Sequence, residues 1–300
     1  MKYYCKIFLV HLIFFSSLSC VSQQTNSLLY IDSNKPLLTA RIFAPNFISK
    51  ENESEFGSIF SKDGTEFYYA VDINGKAEIR YSKLENLHWS KPKTILSSKK
   101  YSYNDPFLSP DEKELFYISN MPRNEMDTIP DIDIWYSKKV NNRWSSPINA
   151  GEAINSDKNE YYISFASNGK MYFASNKNAE KNRTHDFDIY SATKTNGKFD
   201  KPKKLNDSIN TRRYEADVFV SPDESYIIFS SARKDGLGKG DLYISFKENG
   251  EWTKAKNMGD VVNTKEHELC PFVTKDGKYL LYTSRQDIYW ISTEIFKKFR

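Results

Sequence analysis

One phrase recurs five times along this chain and constrains its fold more than any other feature: a short apolar run, a polar turn, then a strongly apolar run. The copies are Ile59-Phe60-Ser61-Lys62-Asp63-Gly64 with Phe67-Tyr68-Tyr69, and Phe107-Leu108-Ser109-Pro110-Asp111-Glu112 with Leu115-Phe116-Tyr117-Ile118-Ser119. Then come Phe165-Ala166-Ser167-Asn168-Gly169 with Met171-Tyr172-Phe173-Ala174-Ser175, and Phe219-Val220-Ser221-Pro222-Asp223-Glu224 with Ile227-Ile228-Phe229-Ser230-Ser231. The last is Phe272-Val273-Thr274-Lys275-Asp276-Gly277 with Leu280-Leu281-Tyr282-Thr283-Ser284. Positions 61, 109, 166, 221 and 274 stand 48, 57, 55 and 53 residues apart. A period of this size marks a repeat built from one supersecondary unit.

Each copy carries two more strand signals. Asp133-Ile134-Trp135-Tyr136, Asp188-Ile189-Tyr190, Asp241-Leu242-Tyr243 and Asp287-Ile288-Tyr289 read as third strands, with Glu78-Ile79-Arg80-Tyr81 in that place in the first copy. Fourth strands start at Trp89, Trp144, Phe199 and Trp252, after hairpin turns signalled by Asn142, Asn196-Gly197 and Asn249-Gly250. Aromatic residues make up 15% of the chain, with 20 Tyr and 20 Phe, which favours strands over helices. Four short strands per unit of about 50 residues is a propeller blade. The fifth copy lacks a fourth strand before the chain ends at Arg300, while an unassigned strand, Arg41 to Ile48, precedes the first copy. There Ile42 and Pro45 match the spacing of Trp89 and Pro92. The expectation is therefore all-β: a five-bladed β-propeller of four-stranded blades, its last blade closed by the N-terminal strand, which removes an open sheet edge.

The repeats resemble the TolB-like, WD-type β-propellers of bacterial envelopes. The resemblance is carried best by Ser221-Pro222-Asp223-Glu224, Ser231-Ala232-Arg233 and Asp241-Leu242-Tyr243, and it covers about residues 40–293. It departs in blade count, because TolB itself has six blades and a separate N-terminal domain. The resemblance implies the fold and an envelope location; for function it leaves ligand-binding, scaffolding and enzyme-associated roles open.

The first 19 residues read as a lipoprotein-type signal peptide: Lys2 and Lys6, an apolar run from Ile7 to Phe15, and small residues up to Cys20. About nine apolar residues are too few for a bilayer span, which takes roughly 20. Cys20 resembles the lipidated cysteine of bacterial lipoproteins, residues 20–36 read as a tether, and 37–300 as the propeller. The chain has three cysteines; with Cys5 removed and Cys20 lipidated, Cys270 stands alone in an apolar stretch and reads as an inert core thiol. A net charge of +4 is weak for a chain of this length and argues against a dedicated nucleic-acid binder.

Candidate site residues follow from the repeat. Six residues before the repeat turn stands a carboxylate in four copies, Glu55, Glu160, Glu215 and Glu268; the second copy has Tyr103 there, with Asn104-Asp105 beside it. Together with Asp133, Asp188, Asp241 and Asp287 ahead of the third strands, and Arg233 and Arg285 (with Lys177 comparable) after the second, they are expected around one mouth of the central channel. This ring is a candidate for ligand binding; equally, it is a set of bonds that pins the loops of each blade. Residues copied in blade after blade suit the second role, because a catalytic acid and base need unlike environments.

Other templates fail. His88, His185 and His267 have no metal-ligand spacing, no Gly-x-Ser-x-Gly elbow occurs, and Gly236-Leu237-Gly238-Lys239-Gly240 lies between strands and reads as a turn. No cofactor, metal or catalytic residue is assigned. The loops 120–132, 176–187 and 232–240 are long and stand out as recognition elements. Met121, Pro122, Met126, Ile129 and Pro130 offer an apolar surface, and Lys177, Lys181, Arg183, Arg233, Lys234 and Lys239 a basic one. The expected function is non-catalytic: an envelope-tethered propeller, joined to the membrane only through a lipid anchor at the periplasmic side of the outer membrane or the cell surface. Its partner is an envelope protein, peptide or glycan and no nucleic acid. The alternatives are a glycan-processing hydrolase that uses funnel carboxylates, and a structural scaffold of an envelope complex.

Overall fold

A computed structural model describes residues 30–128, 131–183 and 185–300. The signal peptide, Cys20 and the first part of the tether lie outside these residues, as do Ile129 and Pro130. Among the described residues no helix is long and apolar enough to cross a membrane.

The described residues form five antiparallel sheets. Blade 1 consists of Ser54–Phe60, Glu66–Ile73 and Lys76–Glu85; blade 2 of Tyr103–Leu108, Glu114–Ser119 and Asp133–Val140. Blade 3 has Glu160–Phe165, Lys170–Ser175 and Asp188–Thr195; blade 4 has Glu215–Val220, Tyr226–Ser231 and Asp241–Glu248; blade 5 has Leu269–Val273, Tyr279–Ser284 and Asp287–Ser292. The first strand of every blade touches the first strands of both neighbours, so these five line the axis. Aromatic and β-branched side chains from facing sheets fill the space between blades, with Tyr68, Tyr117, Phe116, Phe173 and Phe229 essentially unexposed.

The outer strand of blades 1 to 4 is split. His88–Trp89 and Lys93–Leu96, for example, both pair with the third strand of blade 1. The break falls at Pro92, Pro147 and Pro202, which cannot donate to the ladder, and at Ala255 in blade 4. The turns into these outer strands take two consecutive left-handed residues, as expected at Asn141-Asn142, Asn196-Gly197 and Asn249-Gly250. Blade 1 uses Asn86-Leu87, which puts a leucine at φ 65°.

The N-terminal strand Arg41–Ile42 pairs with Asp287–Ser292 and closes blade 5, as the strand count required. Its register differs from the expected one. Ile42 faces Tyr289, the position held in the other blades by Thr94, Asn149, Lys204 and Asn257. Those residues lie two beyond Pro92, Pro147, Pro202 and Ala255, so the match of Ile42 and Pro45 to Trp89 and Pro92 was a coincidence of spacing. Arg41–Ile42 supplies the second half of an outer strand. Phe43 then donates its N–H to Ile288 O (2.7 Å) and wedges its ring between Trp290 of blade 5 and Phe60 and Phe67 of blade 1. Tyr30, within the segment read as tether, packs edge-on against Phe60, Tyr279 and Trp290 and donates to Asp276 (2.7 Å).

Candidate functional site

The β-ladder places the repeated polar residues in one row across each blade. Glu160 pairs with Ser175 and Ser175 with Asp188; Glu215 pairs with Ser231 and Ser231 with Asp241. The row does join the glutamates, aspartates and the residues after the second strand at one end of each blade. It does so inside the wall: Glu55, Glu160, Glu215, Glu268 and Asp241 have no exposed surface.

Each glutamate is a joint. Its backbone N–H crosses to the preceding blade: Glu160 to Ile132 O, Glu215 to Phe187 O, Glu268 to Gly240 O, and Glu55, across the closure, to Gln286 O. Its carboxylate turns back to its own lead-in loop and second strand. Glu160 accepts from Ser156 N (3.0 Å), Ser156 Oγ (2.8 Å) and Ser175 Oγ (2.6 Å). Glu215 accepts from Thr211 N and Oγ1, Ser231 Oγ and Arg233 Nε. Glu268 accepts from Thr264 N and Oγ1 and from Ser284 Oγ. Glu55 keeps only Lys50 N (3.1 Å), and its Oε2 is buried without a partner. Burial pushes Glu55 and Glu160 up to about 7; for Glu160 the bonds from Ser175 and Ser156 act against that rise.

The third-strand acids tie to the outer strand two places beyond the break. Asp133 accepts from Asn149 (2.9 Å), Asp188 from Lys204 (2.7 Å), and Asp241 from Asn257 (2.7 Å); Glu78 takes the same place with Thr94 (2.8 Å). In blade 5 the corresponding residue is Ile42, which has nothing to donate, and Asp287 is only half-buried. Burial raises Asp133 to about 6 and shifts Asp188 and Asp287 upward. The glycine run 236–240 serves Asp241: Leu237 N and Gly238 N donate to its carboxylate, and a Cβ on Gly238 would stand 2.3 Å from Glu266 O. It is the tight turn expected from the sequence. Of the basic residues after the second strands, Arg233 lies over Tyr243 and bonds Glu215 and Ile209 O, Lys177 sits 4.1 Å above Tyr190, and Arg285 is exposed.

Two features escaped the sequence reading. The first is a buried asparagine ahead of three of the glutamates, in Ile154-Asn155-Ser156, Ile209-Asn210-Thr211 and Val262-Asn263-Thr264. Asn210 accepts from Ile189 N and donates to Ile189 O and Leu205 O; Asn155 and Asn263 bracket Ile134 and Leu242 in the same way. The signal was present as a recurring (Ile/Val)-Asn-(Ser/Thr)-x-x-x-Glu phrase.

The second is a ring on the axis. Two residues past each Glu/Tyr position the first strand turns left-handed, at Gly57, Asp105, Tyr162, Asp217 and Cys270, with φ between 42° and 57°. These mark the register shift in every first strand. One carboxylate oxygen each of Asp105 and Asp217 and the sulfur of Cys270 lie within 4.8 Å of one another, the one such convergence of three His, Cys, Asp or Glu side chains among the described residues. The Cys270 thiol donates to Asp105 Oδ1 (3.4 Å), and Tyr214 OH to Asp217 Oδ2 (3.3 Å). Tyr162 is buried and donates to Pro271 O (2.9 Å). Burial raises Asp105 to about 7; burial and the Asp105 charge raise Asp217 to about 8; burial keeps the Cys270 thiol protonated. Cys270 is buried as expected, but among acids rather than in a plain apolar core.

The outer face of this end carries shallow clefts over blades 3 to 5. One of about 290 Å³ lies between Arg183, His185, Arg212, Arg213 and Tyr214. Another is bordered by Lys239, Lys265, Glu266, His267 and Arg285.

No family model matches the sequence, and no curated protein matches it. Among solved structures the chain is similar to TolB from Acinetobacter baumannii, at 14% identity and a TM-score of 0.54, over 82% of this chain and 56% of that one. The fold is that of a five-bladed β-propeller, similar to the propeller of TolB. This chain therefore spans little more than half of that TolB. It is also similar to a thermostable family-43 glycoside hydrolase, at 13% identity and a TM-score of 0.55, over 80% of this chain and 89% of that one. Both likenesses are of fold alone, so function must be argued from the residues of this chain itself.

Proposed function

We propose that this TolB-like propeller is a non-catalytic binding protein of the bacterial envelope. In this reading it is lipid-anchored through Cys20 and holds a protein, peptide or glycan partner over the mouth formed by blades 3 to 5. The observation that carries the reading is how the acidic residues are used. Glu160, Glu215, Glu268 and Asp241 are spent on joints and loop anchors. On the same face Arg183, Arg212, Arg213, Lys239, Lys265 and Arg285 border the clefts. Cations on loops held by a rigid wall suit acidic or carboxylate-bearing partner groups. Hydrolysis of a glycan needs an acid and a base with unlike proton affinities. The two axial carboxyls, Asp105 and Asp217, are both displaced upward.

The test is affinity capture from envelope extract by the wild type and by Arg212→Glu/Arg213→Glu/Arg285→Glu, with unchanged melting temperature as the folding control. A partner held by the wild type and lost by the variant supports the reading. An identical partner set for both proteins removes the mouth from binding, and release of reducing ends from an envelope glycan removes the non-catalytic assignment.

A further inference from the structure

We propose that Asp105, Asp217 and Cys270 form a binding site for a divalent transition cation of the zinc class on the axis of the propeller. The three come from blades 2, 4 and 5 and meet only because each first strand is bulged at the same level. Cys270 Sγ stands 3.4 Å from Asp105 Oδ1. In a tetrahedral site with a metal–sulfur bond of about 2.3 Å and a metal–oxygen bond of about 2.0 Å, sulfur and oxygen are about 3.5 Å apart. The third donor, from Asp217, lies within 4.8 Å of both, so the set closes on an ion by a movement of about an ångström.

A second observation is independent of this spacing. Asp105 and Asp217 are 7% and 6% exposed, yet among the described residues no cationic side chain pairs with either. Asp105 Oδ2 and Asp217 Oδ1 receive no hydrogen bond from any described residue and are not fully enclosed, so each is open to a further ligand on the axis. Two carboxylates this nearly buried, close to one another and without a counter-charge, are costly, and such charges are ordinarily paired or bound to metal. The fifth member of the ring keeps the space clear: a Cβ on Gly57 would stand 2.8 Å from Asp105 Oδ1. Two carboxylates and a thiolate suit zinc or cobalt and disfavour magnesium and calcium, which take oxygen alone. Three protein donors leave a fourth position for water or for a partner's side chain.

The experiment is titration of the chelator-treated protein with Co²⁺, by dialysis and again by refolding with the metal, followed in the near ultraviolet and visible and by competition with Zn²⁺. The expected result is one equivalent of Co²⁺, a sulfur-to-cobalt charge-transfer band, tetrahedral visible bands, displacement by Zn²⁺ and a raised melting temperature. Cys270→Ser should abolish the charge-transfer band. Asp217→Asn, which keeps size and removes the charge, should weaken binding on the order of tenfold or more. Absence of the band after both loading routes overturns the proposal, and so does its persistence in Cys270→Ser. If Cys270→Ser fails to fold, Asp217→Asn decides alone: unchanged cobalt affinity there overturns the site.

Discussion

Phe43→Ala tests the closure of the ring at its most concentrated point. The Phe43 ring is fully buried, with centroids 5.2 Å from Trp290 and Phe67 and 6.1 Å from Phe60, so it joins the last blade to the first. Removal from water of a phenyl ring contributes about 1.5–3 kcal/mol, and each aromatic pair about 0.5–1.5 kcal/mol more. The substitution should therefore cost about 4 kcal/mol, within the usual range of about 3–5 kcal/mol for a buried Phe→Ala change. Urea unfolding measures it. The control is Phe229→Ala, equally buried but stacked on Tyr243 within blade 4. Both variants should lose stability. Only Phe43→Ala should speed hydrogen exchange at the Ser292 amide, which donates to Leu37 O, and promote self-association through the uncovered edge Asp287–Ser292. A loss under about 1 kcal/mol, or the same exchange and association in both variants, refutes the claim that this residue holds the ring shut.

Three further outcomes follow from the wall of the propeller. Asn210→Ala strands Ile189 N and Leu205 O, while Ile189 O keeps the bond from Leu205 N, and should cost about 2 kcal/mol in urea unfolding. Leu87→Gly relieves a left-handed, 75% exposed leucine in a hairpin turn and should stabilise the protein by about 1 kcal/mol, read as a higher melting temperature. Glu160 is raised by burial to about 7 from an unfolded value near 4.5, so its contribution is fully present below about pH 4.5 and lost as pH rises through about 7. Glu160→Gln should flatten the fall in stability between those pH values by about 3 kcal/mol, measured by urea titration at each pH.

The blade count, the strand order and the circular closure were legible because they rest on patterns that repeat: dense apolar runs, asparagine-bearing turns and an acidic residue at the head of each third-strand phrase, Asp in four copies and Glu78 in the first. The register of the closing strand was not, because the outer strand is split at Pro92, Pro147 and Pro202 and a single apolar–proline spacing does not tell which half a lone strand supplies. The polar row was legible as residues and not as burial; from sequence, a glutamate that pins a loop and one that lines a funnel look the same. Only the bonds from Ser156, Thr211 and Thr264 separate them. The axial ring was invisible for the opposite reason. What repeats there is a backbone turn, while the side chains are Gly57, Asp105, Tyr162, Asp217 and Cys270, one glycine among four residue types that share no pattern.

The outer strand that finishes blade 5 is only two residues long, and Tyr30 packs against the same blade a short stretch ahead of it. A pull on the chain ahead of Tyr30 reaches the circle at this clasp before it reaches any other sheet. Tension from that side would peel Tyr30, then Arg41–Ile42, then Phe43, while the four remaining blades, each woven from consecutive chain, carry none of the load until the clasp gives way.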